Sequence, residues 1–303
     1  MKLLRVMVSS ALVVGLVSVL PGMHASQAVW TVGHGTNYDF NEDDYAAYPG
    51  AIQAAVDAAN VGDRIMVAQG EYAGATLTKA IEVKGSGEST TIVSGPLHPR
   101  FGSKGYRVGF YVANAMGATL RNLKLVGYPS PMVVGVLVVS SDYTTVEQLF
   151  FDAPYEAINV FASSHCQLTH NTVTDQFGAG FAAINLLSGA GWGWRGPVTD
   201  NVVAHNRIEN GAGGGILLRS YEPFPVSGNS IEYNKVNSPN GKGVMLNGTT
   251  LALVGNSVGF NDLRGTGQEL WNSSDVLLTI NTFDRNLGYQ PPNEPNRGNP
   301  NKR

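Results

Sequence analysis

Apolar residues in this chain fall almost entirely in short runs separated by clusters of Gly, Asn, Ser and Asp. One stretch departs from that pattern. Between Ala51 and Ala59, Ile52, Ala55, Val56 and Ala59 recur at helical spacing, which predicts an amphipathic helix over about 51–59. Pro49 and Gly50 precede it, Asn60 to Asp63 end it, and Arg64 to Ala68 reads as a strand. From there to Asn286 no second helical period occurs, and the alternation predicts strands joined by tight turns. Residues 29–47 are polar and predict irregular structure.

The strand-and-turn region repeats. An apolar-x-x-Asn-x-apolar unit recurs around Asn171, Asn206, Asn229, Asn256 and Asn281, with two less regular copies ending at Leu125 and Phe151. The last apolar residues of these units are Leu125, Phe151, Val173, Ile208, Ile231, Val258 and Phe283. Each step is 22–27 residues long except the one from Val173 to Ile208, which is 35 and marks an insertion. A second strand follows each unit, centred on Val136, Ile158, Ile184, Ile216 and Val244. Short strands at this period fit coils stacked about 4.8 Å apart, each contacting only its neighbours. A turn Asn fits such a stack, since it tolerates left-handed angles and its amide reaches the same turn one coil away.

The segment Ala51–Tyr72, with Gly62, Asp63, Ile65, Val67 and Gly70, resembles the entry segment of pectin-lyase-like β-helix proteins, and the Asn-x-apolar and Gly-Ile-x-Leu units resemble their repeat. The resemblance spans about residues 48–286. It implies an all-β chain: a single-stranded right-handed parallel β-helix, a solenoid with an N-terminal helix cap. That superfamily holds lyases, hydrolases, epimerases, esterases and non-catalytic proteins, so function has to be read from the site.

Lys2 and Arg5, the apolar run Ala11–Leu20, and small residues at Ser26 and Ala28 predict a signal peptide over 1–28. The expected organisation is then a β-helix domain over 29–286 and a disordered tail over 287–303, in a protein that is secreted or periplasmic with no membrane contact after cleavage. The net charge of −3, without a basic run, argues against nucleic acid as a partner. The single Cys excludes an internal disulfide framework, and 37 Gly fit a chain full of turns.

Taking Ile158, Ile184, Ile216 and Val244 as inward sets out outward columns. These are Glu156, Ala182, Gly214 and Lys242; Asn159, Asn185, Leu217 and Met245; and Phe161, Leu187, Arg219 and Asn247. The acid pairs of polygalacturonase-like hydrolases are missing, with Phe181 and Ala182 in their place. Gly215 to Ser220, with Arg219, resembles the Arg-bearing coil of alginate-lyase-like enzymes, although Leu187 stands where their catalytic Lys would be. On that resemblance Arg219 would neutralise a substrate carboxylate, and Glu156 or Lys242 would move the proton. Asn159, Asn185, Trp192, Trp194, Arg195 and Tyr221 are the candidate substrate contacts, with the Gly-rich insertion bringing two indoles and a guanidinium beside the columns. No cofactor is indicated; a lyase-like reaction would involve Ca²⁺, for which no ligands are identifiable. The expected partner is an acidic polysaccharide, in a binding or cleaving role. The alternative is a non-catalytic module assisting assembly or maturation of a partner.

Overall fold

The computed structural model describes residues 27–45, 49–127, 132–177, 182–189, 193–221, 223–248, 252–273 and 280–288. The predicted signal peptide falls outside them up to residue 26, as does the predicted tail from 289, and so does Trp192.

The helix forms at Ala51–Ala58 and buries Ala51, Ile52, Ala55 and Val56, the stripe its spacing predicts. Gly50 supplies no side-chain cap. A carboxylate from outside the helix substitutes: Glu42 Oε2 accepts from Ala51 N at 2.7 Å. The segment expected to be irregular contains two strands: Val29–Gly33 pairs in parallel with Arg64–Val67, and Phe40–Asn41 pairs in parallel on its outer side. The correction has a local cause in Asp63, which accepts from Asn60 N and Trp30 Nε1, and in the uncleaved chain from Ala28 N, and holds Val29–Gly33 and Arg64–Val67 side by side. These bonds keep its carboxyl below the usual range.

Among the described residues the strands build three sheets of 16, 8 and 3 strands, parallel throughout. The second sheet stacks Thr76–Leu77, Arg107–Ala113, Met132–Val139, Glu156–Phe161, Ile184–Leu187, Gly214–Arg219, Lys242–Asn247 and Gln268–Asn272 in order. Its register pairs Ile158 with Ile184, Ile184 with Ile216 and Ile216 with Val244, as the sequence predicts. These residues, with Val136, Val138 and Leu186, line a continuous buried interior.

Two Asn ladders run along the stack. Asn206 Oδ1 accepts from both N and Nδ2 of Asn171, each at 3.0 Å, and the same double contact joins Asn206 to Asn234, Asn234 to Asn261 and Asn261 to Asn286. Asn201, Asn229, Asn256 and Asn281 repeat the arrangement at a second corner. The left-handed backbone expected of the Asn belongs instead to the residue before it: His170, His205, Tyr233, Phe260 and Arg285 have φ of 51–57°. The division is physical, because the Asn amide is occupied inside the turn while the preceding side chain is thrown outward. Those outward rings stack, His170 on His205 at 4.9 Å, His205 on Tyr233 at 5.1 Å and Tyr233 on Phe260 at 5.0 Å. His165 stacks on Tyr143 in the same way.

Candidate functional site

The outward columns are where predicted, but most of their members do not face water; Arg219, Lys242 and Asn247 are the partly exposed ones. Phe161, Leu187, Leu217 and Met245 form a second buried cluster with Val108, Val134, Leu137, Val139 and Ala182 on the outer face of the second sheet. Asn185 is fully buried and Asn159 is 4% exposed. The open cleft expected along these columns is therefore covered. The reason is a pair of loops. One is the segment between strands Glu82–Ser94 and Arg107–Ala113, closed by an antiparallel bridge from Leu97 to Arg107 and by His98 N donating to Tyr106 O. The other is the insertion, whose Trp194 packs on Phe161 with ring centroids 4.7 Å apart and lies 6.2 Å from His98.

Glu156 reaches this face through a β-bulge. Ala157 N and Ile158 N both donate to Ala183 O, so both residues point into the interior and Glu156 is turned out. Small residues permit the bulge in each coil: the register aligns Gly109, Gly135, Ala157, Ala183, Gly215 and Gly243. A Cβ on Gly135 would lie 2.4 Å from the Phe151 ring, and one on Gly243 would lie 2.3 Å from Glu269 O.

Beneath the loops is a cavity of about 580 Å³. Phe101, Tyr106, Tyr155, Phe177, Phe161 and Trp194 supply aromatic walls, and among the described residues Glu156 is the one carboxylate that lines it. Asn159 Nδ2 donates to Glu156 Oε2, and Asn185 Nδ2 donates to Asn159 Oδ1 at 2.7 Å. Asn185 is held in turn by Ala182, accepting from its N at 3.1 Å and donating to its O at 2.8 Å. Among the described residues Glu156 Oε1 has no partner and no cation pairs with Glu156. Burial pushes its carboxyl up to about 7, against the bond from Asn159, which pulls it down.

His98 is the second polar group of the cavity. Its Nδ1 accepts from Arg100 N and Phe101 N, both at 3.1 Å. Burial, aided by the charge of Arg100, pushes the imidazole down to about 4. The ring is therefore neutral near pH 7, with its proton on Nε2. It offers the cavity a donor and no base.

The remaining expected residues are dispersed. Lys242 lies three coils from Glu156, about 14 Å at 4.8 Å per rung. Arg219 lies two coils away and five residues further along the strand direction, about 19 Å in all. The predicted trio of Glu156, Arg219 and Lys242 is thus not brought together, because the columns run parallel and keep their members apart. Each cation instead sits over a ring, Arg219 4.6 Å from the Tyr221 centroid and Lys242 4.2 Å from that of Trp271. Arg195 is exposed. Asn185 makes no surface for a substrate, since its amide is spent within the fold. Among the described residues no group of three or more His, Cys, Asp or Glu side chains gathers to hold a metal ion. One buried carboxylate among aromatic rings does not fit Ca²⁺, which takes six to eight oxygen ligands.

Sequence reasoning missed His98, Phe101, Tyr106, Tyr155 and Phe177. One signal was present: residues 95–106 interrupt the strand pattern with an aromatic and a basic residue every few positions, as the insertion around Trp194 does later.

A family model described as "Right handed beta helix region" matches residues 80–258. The match agrees with the resemblance to pectin-lyase-like β-helix proteins read from the repeats. No curated protein sequence matches. Among solved structures, similarity is found to a variant of the catalytic domain of GH87 α-1,3-glucanase in complex with nigerose, with a TM-score of 0.31 and 13% identity over 73% of this chain. The chain spans 63% of that structure's length. A variant of the same type of domain in complex with tetrasaccharides gives a TM-score of 0.39 and 11% identity, covering 88% of this chain and 70% of that one. The A-module of the mannuronan C-5 epimerase AlgE6 from Azotobacter vinelandii gives 0.34 and 15% identity, covering 77% and 75%. These likenesses bear on the fold alone.

Proposed function

This chain belongs to the right-handed β-helix family, and on that premise we propose that it is an exported carbohydrate-binding protein that takes a sugar residue into the cavity above Glu156. Export rests on the basic, apolar and small-residue order of positions 1–28. The observation that carries the binding reading is the cavity itself. Its aromatic walls suit the C–H faces of a pyranose, and Glu156 Oε1 and His98 Nε2–H offer hydrogen bonds to ring substituents. A volume of about 580 Å³ accommodates one or two sugar units.

Binding rather than cleavage is favoured because, among the described residues, Glu156 has no complementary base in the cavity. His98 spends Nδ1 on backbone N–H groups, and Arg219 and Lys242 are coils away. The expectation of an acidic glycan loses its main support with them. One observation favours a second, cleaving reading: a carboxyl held at about 7 has the proton affinity a general acid needs.

The test is calorimetric titration of the chain from residue 29 onward with neutral, amino and uronate oligosaccharides, alongside the Trp194→Ala variant. Binding by the parent chain and at least tenfold weaker binding by the variant are expected. No binding to any sugar overturns the proposal and leaves the assembly role. New reducing ends, or absorbance of an unsaturated uronate, would establish cleavage.

A further inference from the structure

We infer that the cavity selects a ligand carrying an ammonium group, and that Glu156 is its counter-charge. The inference rests on the carbohydrate reading of the same cavity and narrows it to an amino sugar with a free amine.

Three observations converge. Glu156 is 8% exposed, lines the cavity, and among the described residues has one carboxyl oxygen without a hydrogen bond and no cation within ion-pair distance. A buried carboxylate without a partner is costly, which favours its protonated form until a counter-charge arrives. The walls are rings, among them Phe101, Tyr155, Phe177 and Trp194. Ring faces attract cations, and a desolvated ammonium gains more from them than one in water. Finally, the network behind Glu156 leaves no other use for it. Asn159 is bonded to both Glu156 and Asn185, and Asn185 to the Ala182 backbone, so the chain ends on a structural anchor and not on a proton path.

The other titratable groups at the cavity are compatible. His98 is neutral with Nδ1 bonded to the backbone, which leaves Nε2–H as its free donor, and Tyr106 and Tyr155 carry hydroxyls. Lys104 lines the cavity from the exposed short helix Gly102–Lys104 and makes no ion pair with Glu156. Entry of an ammonium ligand therefore ionises Glu156 and releases its proton to solvent, with no other bond made or broken.

The experiment compares a glucosamine disaccharide, its N-acetylated form and a neutral glucose disaccharide with choline, a cation that is not a sugar. Affinities are measured at pH 6 to 8 for the parent chain and Glu156→Gln, an isostere whose carbonyl still accepts from Asn159. The Glu156 carboxyl carbon is followed by NMR. The free amine is expected to bind at least tenfold more tightly than either neutral sugar, the advantage to vanish in Glu156→Gln, and the carboxyl titration to move down by at least one pH unit when ligand is bound. Equal affinity for the three sugars, or an advantage that survives in Glu156→Gln, overturns the inference and leaves the sugar reading standing. Glu156-dependent binding of choline without any sugar binding supports the cation site and overturns the sugar reading. Absence of all binding overturns both.

Discussion

Asn185 donates its amide hydrogen to Asn159 Oδ1 at 2.7 Å from one coil to the next. That contact determines which way the Asn159 amide faces. Its oxygen is taken, so its Nδ2 is turned toward Glu156. A residue expected to touch substrate is thus an anchor, acting on the cavity through its neighbour. Replacing it by Leu, the residue one coil later in the same column, leaves Asn159 Oδ1 and the Ala182 backbone without partners. Asn185→Leu is expected to cost about 2 kcal/mol in urea unfolding. It is also expected to shift the Glu156 carboxyl titration seen by NMR, an effect that loss of packing alone would not produce.

The ladders predict a gradient of sensitivity. Asn206 Oδ1 accepts from Asn171 N and Nδ2, and its own Nδ2 donates to Leu168 O and Asn234 Oδ1. Asn206→Ala removes all four bonds in a buried site and is expected to cost roughly 3 kcal/mol or more. Asn286 stands at the last described rung of this ladder and is 8% exposed. Asn286→Ala is expected to cost about 1 kcal/mol, because water replaces part of what is lost. Denaturant midpoints of the two variants check the order; equal midpoints would refute it.

Stability depends on pH through two cavity groups of opposite sign. Glu156 titrates near 7 in the fold against 4.5 unperturbed, so folding favours its protonated form. Its contribution is complete below about pH 4.5 and is lost as pH rises to about 7, on the order of 3 kcal/mol across the window. His98 is pushed down to about 4 from 6.5, so its contribution is present above 6.5 and is lost as pH falls toward 4. The two nearly offset each other in the parent chain. Glu156→Gln removes the Glu156 dependence alone, so the unfolding free energy of the variant should climb relative to that of the parent chain as pH rises from 4.5 to 7. A parallel pair of stability curves for parent and variant would show that Glu156 is already ionised in the fold.

The bulge column predicts where glycine is obligatory. A Cβ at Gly215 would lie 2.6 Å from Gly243 O and 2.7 Å from Val236 Cγ1, both held by neighbouring coils. Gly215→Ala is expected to destabilise by about 3 kcal/mol. Gly87 has φ +74° and open space around the added carbon. Gly87→Ala is expected to cost only the left-handed backbone, about 1 kcal/mol. Thermal unfolding of the pair separates crowding from conformational strain.

How much of this was legible in the sequence varies with the range of the contacts involved. The helix stripe from Ile52 to Ala59, the 35-residue coil and the pairing of Ile158 with Ile184 follow from spacing alone, because a repeat aligns its equivalent positions on adjacent coils. The left-handed angle of the residue before each ladder Asn was not legible. His170 and Tyr233 take the left-handed angle because the amide beside them is already used, and composition does not reveal that division.

The sequence by itself determined the solenoid, its inward residues and the columns that carry Glu156, Arg219 and Lys242, since a period and a column of small residues are local properties of the chain. Only the tertiary structure decided that the outer face is roofed, that Trp194 lies on Phe161, and that Glu156 shares its cavity with His98 while Lys242 and Arg219 do not. Those outcomes depend on loops folding back over distant strands. The protonation of Glu156 depends on how much water that roof excludes, which no spacing along the chain encodes.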